Sequence, residues 1–256
     1  MISTLLSFFS DPASWSGEDG IPSRVLEHLQ YTLLSLLLAA VIAIPLGLWI
    51  GHTGRARWLV TVANSLRAVP TLGLLFVVAL WLGPKFASDL AFTVPSIVVL
   101  ALLAIPPLLA GTYAGIEAVD PAARDAAKGV GMTGTQVLRQ VEVPNALPLL
   151  YSGVRSAVLQ VVATATIAAL IGLGGLGRYL IDGIALGDYA RAAGGAVIVA
   201  VLAVALDGLL ALLQRSTVSP GLTGGQRSVG GGGKDSADPE VEADDTAVAV
   251  SPRFPA

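Results

Sequence analysis

The sequence predicts an all-α membrane protein with about five transmembrane helices. Hydrophobic residues make up 54% of the 256 residues. Charged residues make up only 13%, about half the share that is usual in soluble domains. The apolar residues fall in five long stretches that contain few charges. A soluble fold of this size needs a more polar surface, whereas contact with lipid removes that need.

The five stretches have the lengths that helices need to cross a bilayer. The first has about 22 residues without a charge, enough for about 30 Å of hydrocarbon at about 1.5 Å per residue. Prolines lie within several stretches, which membrane helices tolerate when neighbouring helices satisfy the freed carbonyl groups. We therefore assign residues 1–28 to a lead-in segment and residues 29–215 to a transmembrane domain. The predicted spans are residues 29–50, 59–82, 90–113, 156–176 and 192–213.

The net charge of −3 comes from the carboxyl-terminal residues. Residues 216–256 contain three basic and six acidic residues, and the rest of the chain has 12 of each. A glycine run and few large apolar groups predict a disordered, Gly-rich acidic tail there. The sequence has no cluster of basic residues of the kind that binds nucleic acid. It also has no cysteine, and we expect neither a metal site nor a cofactor.

The basic residues of the transmembrane domain favour one side of the membrane. With five crossings, the segments after the first, third and fifth spans lie on the same side and carry six basic residues, against four on the other side. The positive-inside rule places the richer side in the cytoplasm. We therefore expect the amino terminus outside and the carboxyl terminus in the cytoplasm.

The segment at about residues 117–148, on the predicted cytoplasmic side, is too long for a simple turn. Asp120, followed by a proline, predicts the start of a helix, and Gly129 and Gly131 predict its end. A second short helix should then follow. The two helices and their glycine turn would form a compact knob.

The second helix of this segment is expected over residues 135–141. Thr133 precedes it and can cap its first turn. Pro144 and Pro148 follow it and are expected to stop it, because proline lacks the amide hydrogen that a helix interior needs.

The same segment contains a spaced motif. Asp125-Ala126-Ala127 is followed after three residues by Gly131, and after nine more by Val141-Glu142-Val143-Pro144. This spacing resembles the "EAA" loop of ABC importer permeases, whose pattern is Glu-Ala-Ala, three residues, Gly, nine residues, Ile-x-Leu-Pro. Asp replaces Glu here, and Val replaces Leu before the proline. In that family the loop is a coupling helix that sits in a groove of the ATPase subunit, which implies this role for Asp125, Ala126, Ala127, Gly131, Val141, Val143 and Pro144.

Further matches point to the osmoprotectant permeases within that family, over residues 29–214. Those systems import glycine betaine, carnitine, choline or related solutes. Relatives for methionine and other small solutes share some of these signatures, so another small solute remains an alternative. The matching segments are Pro45-Leu46-Gly47, Gly51-His52-Thr53-Gly54-Arg55, Asn64-x-x-Arg67-x-x-Pro70-Thr71, Ala168-Ala169-Leu170-Ile171-Gly172 and Gly174-Gly175-Leu176-Gly177.

The resemblance implies a type I importer fold in a bacterial inner membrane and a set of partners. These are two ATP-binding cassette ATPase subunits, a second permease (the same chain or a sister chain) and an extracytoplasmic solute-binding protein. ATP hydrolysis would then belong to a partner, and this chain would not be an enzyme. The alternative is a secondary transporter driven by an ion gradient. It would be expected to show internal repeats and ion-binding acids at mid-membrane, which the sequence does not clearly show.

Three charged residues, Arg67, Arg155 and Asp207, fall within or beside the apolar stretches. A charge surrounded by lipid is costly, which makes each of them a candidate for a function. We predict that Asp207 pairs with Arg67 or Arg155 and holds the cytoplasmic half of the bundle together. Snorkelling of the side chains to the interface is the alternative.

A glycine-rich segment ends the fourth stretch on the predicted outer side. Its spacing includes a G-x-G-x-x-G pattern, but a dinucleotide site requires a strand before it and a βαβ unit around it. We predict a backbone turn near the outer gate or near the contact with the binding protein. A turn with a purely structural role is an equal alternative. Tyr179 follows it and is expected in the aromatic belt at the membrane interface. The glycines are Gly172, Gly174, Gly175 and Gly177.

Overall fold

The computed structural model describes residues 2–218, and within this range all regular structure is helical. The predicted all-α fold is therefore confirmed. The predicted disordered tail lies almost entirely outside the described residues. The helices are α1 (Ile2–Ser10), α2 (Ile21–Thr53), α3 (Trp58–Ser65), α4 (Thr71–Leu82), α5 (Leu90–Glu117), α6 (Pro121–Gly129), α7 (Gly134–Val137), α8 (Val143–Ala168), α9 (Gly177–Leu186) and α10 (Tyr189–Thr217).

Four helical segments in the described range are long and apolar enough to cross a membrane. They are α2, α5, the continuous stretch Gly134–Ile171 that contains α7 and α8, and α10. A fifth span results if α3 and α4 together count as one. These segments correspond to the five predicted stretches.

The second predicted span is not one straight helix, because α3 and α4 meet at an angle of 95°. The break lies at Val69, whose ψ of 128° is extended rather than helical. Pro70 follows it, and the ring of a proline disfavours helical backbone in the preceding residue. Arg67 lies in a short 3-10 turn, Leu66–Ala68, that ends the first half of this bent pair.

Helix α5 lies at the centre of the bundle, where α2 and α8 pack on its two sides. Glycines make both contacts close. A Cβ on Gly47 of α2 would lie 2.8 Å from Cβ of Thr112, and a Cβ on Gly111 of α5 would lie 2.6 Å from Cα of Gly153 in α8. Small residues at such crossings let membrane helices gain van der Waals contact that lipid cannot supply.

Tyr179 lies in a small cluster at the predicted outer end and not in a lipid-facing belt. It is only 2% exposed, and its ring meets that of Phe8 edge to face, with 5.6 Å between the centroids. Its hydroxyl donates to the carbonyl of Asp19 at 2.5 Å. Burial raises the pKa of this hydroxyl, which keeps the donor protonated. The belt prediction is wrong for Tyr179 because α1, which contributes Phe8, covers it.

Candidate functional site

Helix α6 is a short surface helix with most of its residues turned away from the bundle. Asp120 caps it by accepting a hydrogen bond from the amide of Ala122 at 2.9 Å. Asp125 is 79% exposed and lies 4.0 Å from Lys128 on the same face. Ala127, in contrast, is buried against the bundle. The helix therefore presents an acidic group and small side chains to whatever binds this face.

Gly131 turns the chain between α6 and α7 in a left-handed conformation, with φ of +88°. Its amide donates to the carbonyl of Lys128 at 2.9 Å, and the amide of Met132 donates to the carbonyl of Ala127 at 3.1 Å. This pair of bonds is the Schellman motif, which satisfies the last carbonyls of a helix. The turn fixes the direction in which the chain leaves α6.

The second short helix departs from the prediction. Thr133 caps α7 in a capping box with Gln136, as its position suggested. However, the helical stretch that begins with α7 is not stopped before Pro144. It continues through a π-helical turn, Leu138–Glu142, directly into α8.

A π turn directly precedes Pro144, and neither proline stops this helix. The amide of Val143 bonds to the carbonyl of Leu138, five residues back, so the hydrogen-bond register has already shifted before Pro144. Pro144 then follows as the second residue of α8. Pro148 lies inside α8 without ending it. The predicted knob is therefore continuous with a membrane span.

The motif contains one residue that the sequence did not identify as functional. Glu142 lies between Val141 and Val143 and is only 2% exposed. Its Oε2 lies 2.6 Å from Nδ1 of His52, and its Oε1 lies 2.9 Å from Nε of Arg124. These partners are 90 and 18 residues away in the sequence, so no local pattern marks the cluster.

Of the three charges predicted to interact within the membrane, two are paired in the structure. Arg155 of α8 donates from Nε and Nη2 to the two carboxylate oxygens of Asp207 in α10, each at 2.7 Å. Arg67 is exposed and lines a cavity of about 190 Å³ beside Gly111 and Gly153. Arg155 is therefore the partner that the geometry offers for Asp207.

We expect Asp207→Asn to lower the yield and the thermal unfolding midpoint of the detergent-purified protein. The amide cannot make the two-pronged ionic contact, and the guanidinium of Arg155 would lose its counter-charge in an apolar bundle. Asp207→Glu, which keeps the charge, is the matched control and should show a smaller fall in yield and in the unfolding midpoint. Scanning fluorimetry measures both midpoints. Unchanged assembly and transport in Asp207→Asn would show that the pair is dispensable.

The predicted turn at the four glycines joins α8 to α9, and its place on the outer side stays a prediction. Gly172 and Gly175 adopt positive φ values, +100° and +78°. Gly174 has no room for a Cβ because the carboxylate of Glu27 lies against it. Gly177 begins α9, and a Cβ there would meet Cβ of Ala169 at 2.8 Å. Each of the four glycines thus has a conformational or packing reason.

Glu27 of α2 fastens this turn to the rest of the bundle. Its Oε2 accepts from the amide of Gly175 at 2.7 Å and from Nη1 of Arg24 at 2.7 Å. Its Oε1 accepts from the hydroxyl of Tyr31 at 2.8 Å. The turn borders a polar cavity of about 250 Å³ next to Glu27 and a larger, mainly apolar cavity of about 740 Å³ between α4 and α9.

The comparison with protein families matches most of the membrane body. Residues 43–219 match the family described as "Binding-protein-dependent transport system inner membrane component". Three related proteins align with about three quarters of the chain.

These relatives are permeases named for osmoprotectant transport. The "Glycine betaine/carnitine/choline transport system permease protein OpuCB" of Bacillus subtilis is 34% identical over 77% of this chain and 88% of its own length. The "Osmoprotectant import permease protein OsmW" of Salmonella typhimurium is 34% identical over 76% and 90%. The "Carnitine transport permease protein OpuCD" of Listeria monocytogenes is 35% identical over 75% and 84%.

Solved structures share the fold. A chain of the MetNI methionine ABC transporter in an inward-facing conformation superposes with a TM-score of 0.65 at 21% identity, covering 76% of this chain and 94% of that one. A chain of an amino acid ABC transporter gives a TM-score of 0.61 at 23% identity, covering 77% and 93%. Because the family match spans most of the chain and the relatives exceed 30% identity over three quarters of it, this chain is a member of the binding-protein-dependent transport system inner membrane components.

Proposed function

We propose that the chain is the transmembrane permease subunit of an ATP-driven importer for compatible solutes such as glycine betaine, carnitine or choline. It forms the translocation path together with a second permease, the same chain or a sister chain, and works by alternating access. The observation that carries this proposal is the exposed helix α6, which Gly131 holds in a fixed direction and which leads through the π turn into a membrane span.

This arrangement suits a chain that receives force from a separate motor. Small side chains such as Ala126 allow a partner surface to approach closely, and the carboxylate of Asp125 can meet a cation on that partner. Two ATP-binding cassette ATPase subunits supply the hydrolysis, one beneath each permease. An extracytoplasmic binding protein delivers the solute to the outer mouth, where the turn at Gly172–Gly177 lies.

The substrate class rests on the relatives. Their names include glycine betaine, carnitine and choline, and this chain aligns with about nine tenths of the length of two of them. All three solutes carry a quaternary ammonium group, which aromatic rings recognise through cation–π contacts. We assign that recognition mainly to the binding protein, because it meets the solute first.

The proposed orientation places α6 and α7 in the cytoplasm. In that orientation the amino terminus is outside and the carboxyl terminus inside a bacterial inner membrane. The excess of basic residues after the first, third and fifth spans supports it. It also places Glu27 and the glycine turn on the outer side.

The test is solute uptake by proteoliposomes that contain this chain, its ATPase subunits and its binding protein. We expect ATP-dependent accumulation of at least one of radiolabelled betaine, choline and carnitine. Labelled methionine tests the alternative substrate, and vesicles with this chain alone test the alternative mechanism. Accumulation by the chain alone under an ion gradient, without ATP, would contradict the proposal and favour a secondary transporter.

A further inference from the structure

A buried carboxylate ties helix α6 to the membrane spans. Glu142 ends the π turn before α8 and is almost completely buried, and both of its oxygens have cationic or imidazole partners. A buried charge is tolerated when it is paired on all sides. An ionised carboxylate only accepts hydrogen bonds, so Nδ1 of His52, at 2.6 Å, is the donor of that contact.

The partners of Glu142 come from different elements of the bundle. His52 lies in the last turn of α2, and its Nε2 edge faces Gly134, where a Cβ would lie 3.5 Å away. Arg124 lies in the middle of α6, and its Nη2 donates to the carbonyl of Ile116 in the last turn of α5. The cluster of Glu142, His52 and Arg124 therefore joins α2, α5, α6 and the start of α8.

Helix α6 has few other attachments to the bundle. Within Pro121–Gly129, only Arg124 and Ala127 are not exposed. Ala127 contributes a single methyl group to the contact. Arg124 is thus the one long side chain of this helix that reaches the spans, and Glu142 is the ionic partner that it reaches.

We propose that Glu142 is the positioning residue of coupling: by holding Arg124 and His52 at once, it makes α6 move together with the inner ends of α2 and α8. This inference rests on the proposed function and adds a residue that the spacing of the motif leaves unspecified. Loss of the carboxylate releases α6 from α2 and from the start of α8 without changing its outward face, while Arg124 keeps its bond to the carbonyl of Ile116 in α5. The ATPase subunits then close on α6, but the spans no longer follow.

The first test is Glu142→Gln in the reconstituted complex. Glutamine keeps the shape of the side chain but removes the negative charge beside Nε of Arg124, and only one of its two terminal groups can accept a hydrogen bond. We expect ATP hydrolysis within about twofold of the unmodified complex and a fall of about tenfold or more in solute imported per ATP hydrolysed. A residue that only stabilised the fold would lower both rates in parallel.

The matched control breaks another ion pair of the same face. Nη2 of Arg57 lies 3.3 Å from Oε1 of Glu117, and both side chains are exposed. Such a pair is screened by water and contributes little. Arg57→Gln should therefore leave the ratio of solute to ATP unchanged.

Two variants at His52 give an independent test on a less buried partner. His52→Asn keeps an NH donor near the position of Nδ1 and should import nearly as much solute per ATP hydrolysed as the unmodified complex. His52→Ala removes the donor and should lower this ratio severalfold. If Glu142→Gln does not assemble, this pair decides: a lowered ratio in His52→Ala alone supports the proposal, and a normal ratio in both overturns it.

The outcomes separate this inference from the proposed function. A normal ratio in Glu142→Gln, in a complex that imports solute, would overturn the role of Glu142 and leave the importer intact. A lack of ATP-driven uptake in the unmodified complex would instead count against the proposed function.

Discussion

Gly131→Val is expected to reduce ATP-driven uptake about tenfold or more while the protein still inserts into the membrane. A left-handed backbone costs an L-residue about 1–2 kcal/mol, and a β-branched side chain raises this cost further. The strain falls on the Schellman turn that sets the angle between α6 and α7. The measurements are uptake in proteoliposomes and co-purification of the ATPase subunits.

Gly131→Asn is the control for this prediction at the same position. Asparagine is close to valine in size but tolerates left-handed backbone. No other atom lies within 4 Å of a Cβ placed at this position, so simple crowding within the chain does not separate the two variants. We expect Asn to retain most of the activity. Equal loss in both variants would show that the partner surface, and not the turn, excludes a side chain here.

Gly111→Ala is expected to destabilise the bundle at its centre. The new Cβ would lie 2.6 Å from Cα of Gly153 and 2.9 Å from the carbonyl oxygen of Leu149, so α5 and α8 would have to separate. Overpacking of this kind costs about 1–3 kcal/mol. For a chain of this size each kcal/mol lowers the midpoint of thermal unfolding by roughly 2–4 °C. Scanning fluorimetry in detergent should therefore show a drop of about 5 °C.

Gly208→Ala in α10 provides the matched control. It adds the same methyl group to a spanning helix at a position with no other atom within 4 Å of the new Cβ. Alanine also has a better helix propensity than glycine. The midpoint should stay the same or rise slightly. A similar fall in both variants would contradict the close contact between α5 and α8.

Much of the fold follows from the distribution of apolar residues. Runs of about 20 such residues have few stable arrangements other than a spanning helix, and the five predicted stretches all became helices. The start of α6 was also predictable, because Asp120 and the proline after it act within a single turn. So was the turn at Gly131, which depends on the backbone freedom of one residue.

The features that the sequence did not reveal depend on contacts between distant segments. Pro144 was expected to end a helix, but a π turn had already shifted the hydrogen-bond register before it. No local pattern marked Glu142 as buried, because its partners come from α2 and α6. Asp207 pairs with Arg155 and not with Arg67 because α8 packs against α10 and because the chain bends before α4. Neither of these could be predicted from the sequence.

Helix α2 is fastened near both of its ends, by Glu27 to the turn at Gly175 and by His52 to Glu142. Its 33 residues run unbroken through Pro45 and give a rod about 50 Å long. A tilt of about 5° in such a rod carries one end about 4 Å relative to the other, given the same rise per residue. Because no loop intervenes, a displacement of the end that carries His52 would be passed along α2 to the end that carries Glu27 and the glycine turn.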